Sequence, residues 1–187
     1  MDTIKTGKKT LDEMLSGGSL TVIAGRPGMG KSSLAFQIAG NIAECGKTVL
    51  LFSLEMDEPL VRKRMSMQGF EAYENNVIVY DEPAVSVEYI TQKATDLEKI
   101  DAIFVDYIQL MRGKNNKLSS CKQEVEEIVC GLKLLAEKMN VPIVVVSQLG
   151  RNADSVTDES ELIASVRKAG FREQDTDWII FPPHMLS

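Results

Sequence analysis

Eight residues constrain this chain most: Gly25-Arg26-Pro27-Gly28-Met29-Gly30-Lys31-Ser32. Their spacing is that of a P-loop, G-x-x-x-x-G-K-[ST]. The apolar run Leu20-Thr21-Val22-Ile23-Ala24 leads in, and an apolar-periodic segment from Ser33 to Ala43 leads out. A glycine turn between a buried strand and a helix lets backbone N–H groups curl around a phosphate, with the helix dipole behind them. Lys31 is then placed to reach the β- and γ-phosphates, and the Ser32 hydroxyl to ligate Mg²⁺. The candidate nucleotide-binding residues are Gly25, Arg26, Pro27, Gly28, Met29, Gly30, Lys31, Ser32 and Ser33.

Beyond this loop the chain alternates strand-like and helix-like blocks, which predicts an α/β fold with a mainly parallel sheet. The spacing predicts strands at Leu20–Ala24, Thr48–Leu54, Val77–Tyr80, Ala102–Val105, Ile143–Val146 and Trp178–Phe181. Helices are expected over Ser33–Ala43, Glu58–Met67 and Val85–Glu98. The clearest helix carries Val125, Ile128, Val129, Leu132, Leu135, Ala136 and Met139 at i, i+3, i+4, i+7 spacing, a stripe read as core-facing. Lys114–Lys122 and Arg151–Ser160 read as polar loops.

Three apolar strands end in polar groups: Glu55, Asp106 and Gln148. Ligands of open α/β sheets sit outside the carboxyl ends of the strands, and the P-loop follows such an end too. Asp106, after four apolar residues, has the form of a Walker B aspartate that holds Mg²⁺ beside Ser32. Glu55 is expected near the γ-phosphate, polarising the attacking water. Gln148 is expected to hydrogen-bond the γ-phosphate or that water. Candidate catalytic residues are therefore Glu55, Lys31 and Gln148, with Ser32 and Asp106 on the metal.

Composition narrows the setting. A chain of 187 residues is expected to form one domain with a substantial core. Cys45, Cys121 and Cys130 form no C-x-x-C pair and are odd in number, which fits a reducing cytoplasm better than a disulfide framework or a zinc site. Cys121 reads as an exposed thiol in a polar loop. No apolar run is long enough to span a bilayer, so no membrane partner is expected. The net charge of −6 argues against a generally basic nucleic-acid binder. One local stretch runs the other way: Arg112, Lys114, Lys117 and Lys122 follow one another with no acid between them.

The motifs together resemble a known family. Thr6-Gly7 with Leu11-Asp12, the P-loop, Ser53-Leu54-Glu55-Met56, Asp106-Tyr107-Ile108-Gln109-Leu110-Met111, Leu132-Lys133-Leu134-Leu135-Ala136, Val141-Pro142, Ser147-Gln148-Leu149 with Arg151, and Glu173-Gln174-Asp175-Thr176-Asp177 occur in the order seen in hexameric, DnaB-like replicative DNA helicases of bacteria and phages. The likeness covers the RecA-like motor domain across nearly the whole chain. It implies a RecA-like P-loop NTPase with helices on both faces of its sheet. It implies ATP and Mg²⁺ as cofactors, self-association into a ring that is a hexamer in the family, and ATP-driven translocation on single-stranded DNA. In that frame Glu55 is the catalytic carboxylate and Gln148 couples nucleotide to DNA. Arg112, Lys114, Lys117 and Lys122 line the channel, making phosphate contacts.

The chain departs from that pattern in places. It is read as a single motor domain, residues 1–187, without the family's N-terminal domain. The span from Glu55 to Asp106 is short for the family, and Cys121 stands where an arginine is usual. The loop from Asn152 to Glu161 is acidic. The Lys-x-Arg-Asn-Gly segment that brings an arginine finger to a neighbour's ATP is not found before the last residue. A second reading therefore stays open: an ATP-binding paralogue with a regulatory role and no unwinding activity. A third, another RecA-like ATPase, fits Ser53–Met56 and Asp106–Met111 less well.

Overall fold

The computed structural model describes residues 9–113, 120–150 and 158–185. In chain order the elements are α1 (Lys9–Met14), β1 (Leu20–Gly25), α2 (Lys31–Glu44), β2 (Val49–Ser53), α3 (Glu58–Met67), β3 (Val77–Tyr80), α4 (Val87–Thr95), β4 (Ala102–Asp106), α5 (Cys121–Met139), β5 (Ile143–Gln148), α6 (Glu159–Lys168) and β6 (Trp178–Ile180). The strands form one sheet in the order β3-β2-β4-β5-β1-β6, and every pairing in it is parallel.

Parallel strands covered on both faces should be apolar at every position rather than at alternate ones. That is why Val49–Phe52, Ala102–Val105 and Ile143–Val146 are continuous runs, all buried. Their side chains still alternate between two cores. Leu50, Phe52, Ile103, Val105, Ile143 and Val145 face one layer, with Ile90 of α4, the stripe of α5, and Leu162 and Val166 of α6. Val49, Leu51, Ala102, Phe104, Val144 and Val146 face the other, with Phe36 and Ile42 of α2 and Val61 and Met65 of α3. Gly40 sets the close fit within that second layer. A Cβ there would lie 2.3 Å from the Phe70 ring, so only glycine lets Phe70 pack onto α2.

Side-chain caps start four of the helices. Asp57, Ser86, Ser120 and Asp158 accept N–H groups from the first turns of α3, α4, α5 and α6. Such a cap satisfies a backbone donor that the helix leaves open. The helix after the P-loop has none: its N-cap is Gly30, in the left-handed conformation (φ +81°).

Two sequence expectations need correction. The polar loop expected to reach Lys122 ends earlier, because Ser120 caps α5 and Cys121 is its first residue. Cys121 is nonetheless exposed. The loop expected to reach Ser160 ends at Asp158, whose carboxylate accepts from the Ser160 and Glu161 amides at 2.9 Å and 3.2 Å and starts α6. Residues 114–119 and 151–157 lie outside the described residues. None of the helices among the described residues is long and apolar enough to cross a membrane.

Candidate nucleotide site

Sheet register sets the site. Gly25 pairs with Gln148, and Ser53 with Asp106, so four strands present their carboxyl ends at one rim. The rim opens into a cleft of about 340 Å³ lined by Lys31, Ser32, Glu55, Asp106 and Gln148, together with Pro27, Gly28, Gly30 and Ser33. Lys31, Ser32, Glu55, Asp106 and Gln148, read from scattered motifs, thus share one cavity, whereas Gly25, Arg26 and Met29 of the P-loop are not in its lining.

Each wall has a local cause. Gly28 (φ +76°) and Gly30 (φ +81°) hold the loop in backbone conformations that L side chains rarely adopt, and this lifts the first amides of α2 toward the cleft. Ser53 Oγ donates to the Met56 carbonyl at 2.7 Å, folding the chain sharply after β2 and leaving Glu55 exposed at the corner. The Leu54 amide donates to the Asp106 carbonyl at 2.7 Å, which fixes that corner against the end of β4. The peptide bond between Asp106 and Tyr107 is cis.

The electrostatics are those of a phosphate and metal site. Lys31 is buried, and its ammonium group donates to the Arg26 carbonyl at 2.8 Å. Burial lowers its pKa, while Asp106 and Glu55 pull the other way. Asp106 is 1% exposed, and both its carboxylate oxygens are buried without a hydrogen-bond partner. Its pKa is raised to about 6, chiefly by burial with Glu55 adding to the rise, while the nearby Ser32 hydroxyl, Lys31 and Arg64 oppose it. Ser32 lies close enough to stabilise the carboxylate but does not complete a hydrogen bond of normal geometry. A buried carboxylate with open lone pairs beside a serine hydroxyl is the hard oxygen donor set that Mg²⁺ takes when phosphates and water complete its shell.

The site includes residues to which the sequence assigned no role, among them Val146 near the end of β5. Arg64, nine residues after Glu55 in the sequence, and Tyr107 also line the cleft. Arg64 sits on the polar side of α3, so its only sequence signal is a cation one helix beyond a candidate carboxylate. Gln109 does not line the cleft but grips its edge. Its amide nitrogen donates to Ser147 Oγ at 2.9 Å and to the Gln148 carbonyl at 3.0 Å, and its oxygen accepts from the Gln148 amide at 3.3 Å.

The candidate nucleic-acid residues stand apart from this group. Arg112 is exposed and lies just beyond Gln109 on the chain leaving β4; its amide is tied to the Val85 carbonyl at 3.0 Å. Lys122 is not on a loop but in the first turn of α5, 3.5 Å from Glu126, so part of its charge is locally answered. Lys114 and Lys117 lie outside the described residues.

A six-stranded parallel sheet with a P-loop, a strand-end aspartate and helices on both faces defines a RecA-like P-loop NTPase domain. Within that class, the chain belongs to the DnaB-like helicase C-terminal domain family, whose model matches residues 3–72 and 66–184. Similar proteins include the replicative DNA helicase DnaB of Geobacillus stearothermophilus, 30% identical over 95% of this chain, and a probable plasmid replicative DNA helicase of Chlamydia psittaci, 32% identical over 97%. The chain spans 46% of the length of each of these relatives. Among solved structures, the ATPase domain of G40P superposes with a TM-score of 0.81 at 25% identity, covering 95% of this chain and 75% of that one. A DnaB-like replicative helicase, described with its interactions with primase, superposes at 0.83 and 24% identity over 97% of this chain and 53% of that one. The two matched blocks overlap at residues 66–72.

Proposed function

We propose that this chain is the ATP-hydrolysing motor of a DNA helicase, and that hydrolysis at its sheet rim drives movement on single-stranded DNA. One observation carries the reading: Lys31, Ser32, Glu55, Asp106 and Gln148 line a single cleft, and the Asp106 carboxylate in it is buried with no partner.

In this reading the uncapped amides of α2 and the P-loop bind the triphosphate, and Lys31 leaves the Arg26 carbonyl to contact the β- and γ-phosphates. Ser32 and Asp106 would hold Mg²⁺, which would supply charge neutralisation on those phosphates. Glu55, at the exposed corner after β2, orients water and takes its proton. Arg64 offers a positive wall against charge developing on the transferred phosphoryl group. Gln148, at the end of β5, senses whether the γ-phosphate is present. Arg112, Lys114, Lys117 and Lys122 contact DNA phosphates, and copies of the chain associate into a ring.

Sedimentation at rising protein concentration, with a non-hydrolysable Mg-ATP analogue and labelled single-stranded DNA, tests this. The expected result is nucleotide-dependent assembly that carries the DNA, with binding that weakens steeply as salt rises. A monomer throughout, or DNA binding indifferent to salt, contradicts it. ATP binding without assembly would favour the non-unwinding paralogue.

A further inference from the structure

We propose that Gln109 is a positioning residue that couples Gln148 to the basic segment beginning at Arg112. The inference rests on the motor reading above for its biological meaning, but its geometry stands alone.

β4 and β5 pair only as far as Val105 and Val145. Beyond that point β4 turns away through Asp106 and Tyr107, whereas β5 continues to Gln148. On its other side Gln148 is still held by β1, through its register with Gly25 and the Leu149 amide, which donates to the Gly25 carbonyl at 3.1 Å. On the open side, the side chain of Gln109 takes the place of the missing strand. A carboxamide has the donor and acceptor of a peptide group, and this one engages both the N–H and the C=O of Gln148, at 3.3 Å and 3.0 Å. A third bond, to the fully buried Ser147 hydroxyl at 2.9 Å, fixes the amide's orientation.

Gln148 is therefore clipped between two chains. One is the first residue of the P-loop. The other is the short 3₁₀ turn Ile108–Leu110, which leads through Met111 into Arg112. That turn is held at its far end as well: the Gly113 amide donates to Glu124 at 3.0 Å, tying it to the first turn of α5. A shift of the Gln148 peptide on nucleotide binding is passed through two hydrogen bonds to the chain that carries the basic residues. Without the Gln109 amide, β5 keeps its contact with the P-loop and loses its contact with that chain.

The test compares the full chain with Gln109→Met, which keeps length and bulk but removes the hydrogen bonds, and Gln109→Glu, which keeps the acceptor for the Gln148 N–H and loses the donor. Nucleotide affinity, steady-state turnover with and without single-stranded DNA, and amide exchange across residues 108–113 and at Gln148 are measured for each. The expected result is nucleotide affinity within about twofold of the wild type, and DNA stimulation of turnover lost in Gln109→Met and partly kept in Gln109→Glu. Exchange at the Gln148 amide should rise at least about tenfold in Gln109→Met, and nucleotide-induced protection of 108–113 should disappear. A purely structural role would instead lower basal turnover and affinity together. If the wild type shows no DNA-stimulated turnover, the motor reading fails, and the exchange data alone decide the coupling. Protection of 108–113 that persists in Gln109→Met, or that is missing from the wild type with nucleotide bound, overturns the proposal.

Discussion

The Lys31 ammonium group is bonded to the carbonyl of Arg26, five residues before it, at 2.8 Å, and donates no hydrogen bond to the buried Asp106 carboxylate. The loop is therefore self-clasped, with its cation held in the position a phosphate oxygen would draw it from. Replacing the clasp should leave the fold intact and remove the ligand's main anchor. Charge-assisted hydrogen bonds contribute about 1.5–3 kcal/mol, so Lys31→Ala is expected to weaken ATP binding by about 10- to 200-fold. Titration of a fluorescent ATP analogue checks this; unchanged affinity would remove Lys31 from the site.

Asp106 gives the pH dependence a definite sign. Its ordinary pKa of 3.8 is raised by burial to about 6 in the folded chain. Between those values the folded state holds the proton more tightly than the unfolded state does. The stability this group contributes is therefore fully present below the lower value and is lost as pH rises through the upper one. At neutral pH the buried carboxylate costs the ligand-free protein up to about 3 kcal/mol. Asp106→Asn is expected to stabilise the ligand-free chain at pH 7.5 by about 1–3 kcal/mol, with roughly half of that gain left at pH 5 and the rest lost as the pH falls below the ordinary value. It should also remove Mg²⁺-dependent tightening of nucleotide binding. Denaturant unfolding at the two pH values is the check, and an equal effect at both contradicts the assignment.

Arg64 reaches the cleft from α3 and helps hold Asp106 ionised. Arg64→Ala should reduce turnover more than it reduces nucleotide affinity, by about 10²- to 10³-fold in kcat if the side chain acts on developing charge. A change confined to KM would make it a ground-state contact.

Away from the site, Lys133 ties α5 to the chain entering β1 and β6, at the end of the sheet opposite the P-loop. Its ammonium group donates to the Gly18 carbonyl at 2.9 Å and to Asp177 at 2.8 Å, while Asp177 accepts from the Leu20 amide at 2.7 Å. Lys133→Met is expected to cost about 1.5–3 kcal/mol of stability with little effect on nucleotide affinity. Thermal unfolding and the same nucleotide titration separate the two.

The strand ends were legible because each apolar run stops at a polar residue, and the parallel sheet then brings those stops to one rim. Arg64 was not legible, since it lies on an exposed polar face and reaches the cleft only through the placement of α3. Nor was the pairing of Gln109 with Gln148, 39 residues apart, which depends on β4 and β5 being neighbours. The helix α6 leaves little trace in the sequence because only Leu162 and Val166 of its ten residues are buried, too thin a stripe to show as a period. Its start signal, Asp158, sits among other acids that read as loop. Lys122 reads as loop in the sequence because Ser120, the true boundary marker, is one of two adjacent serines in a polar run.

The most direct measurement is steady-state Mg-ATP hydrolysis at low salt and high protein concentration, with and without single-stranded DNA, for the wild type and Glu55→Gln. Turnover stimulated by DNA in the wild type is expected, together with a loss of about 10²–10⁴-fold in Glu55→Gln at retained ATP affinity. ATP bound but never hydrolysed by the wild type, or hydrolysis that survives in Glu55→Gln, would contradict the account.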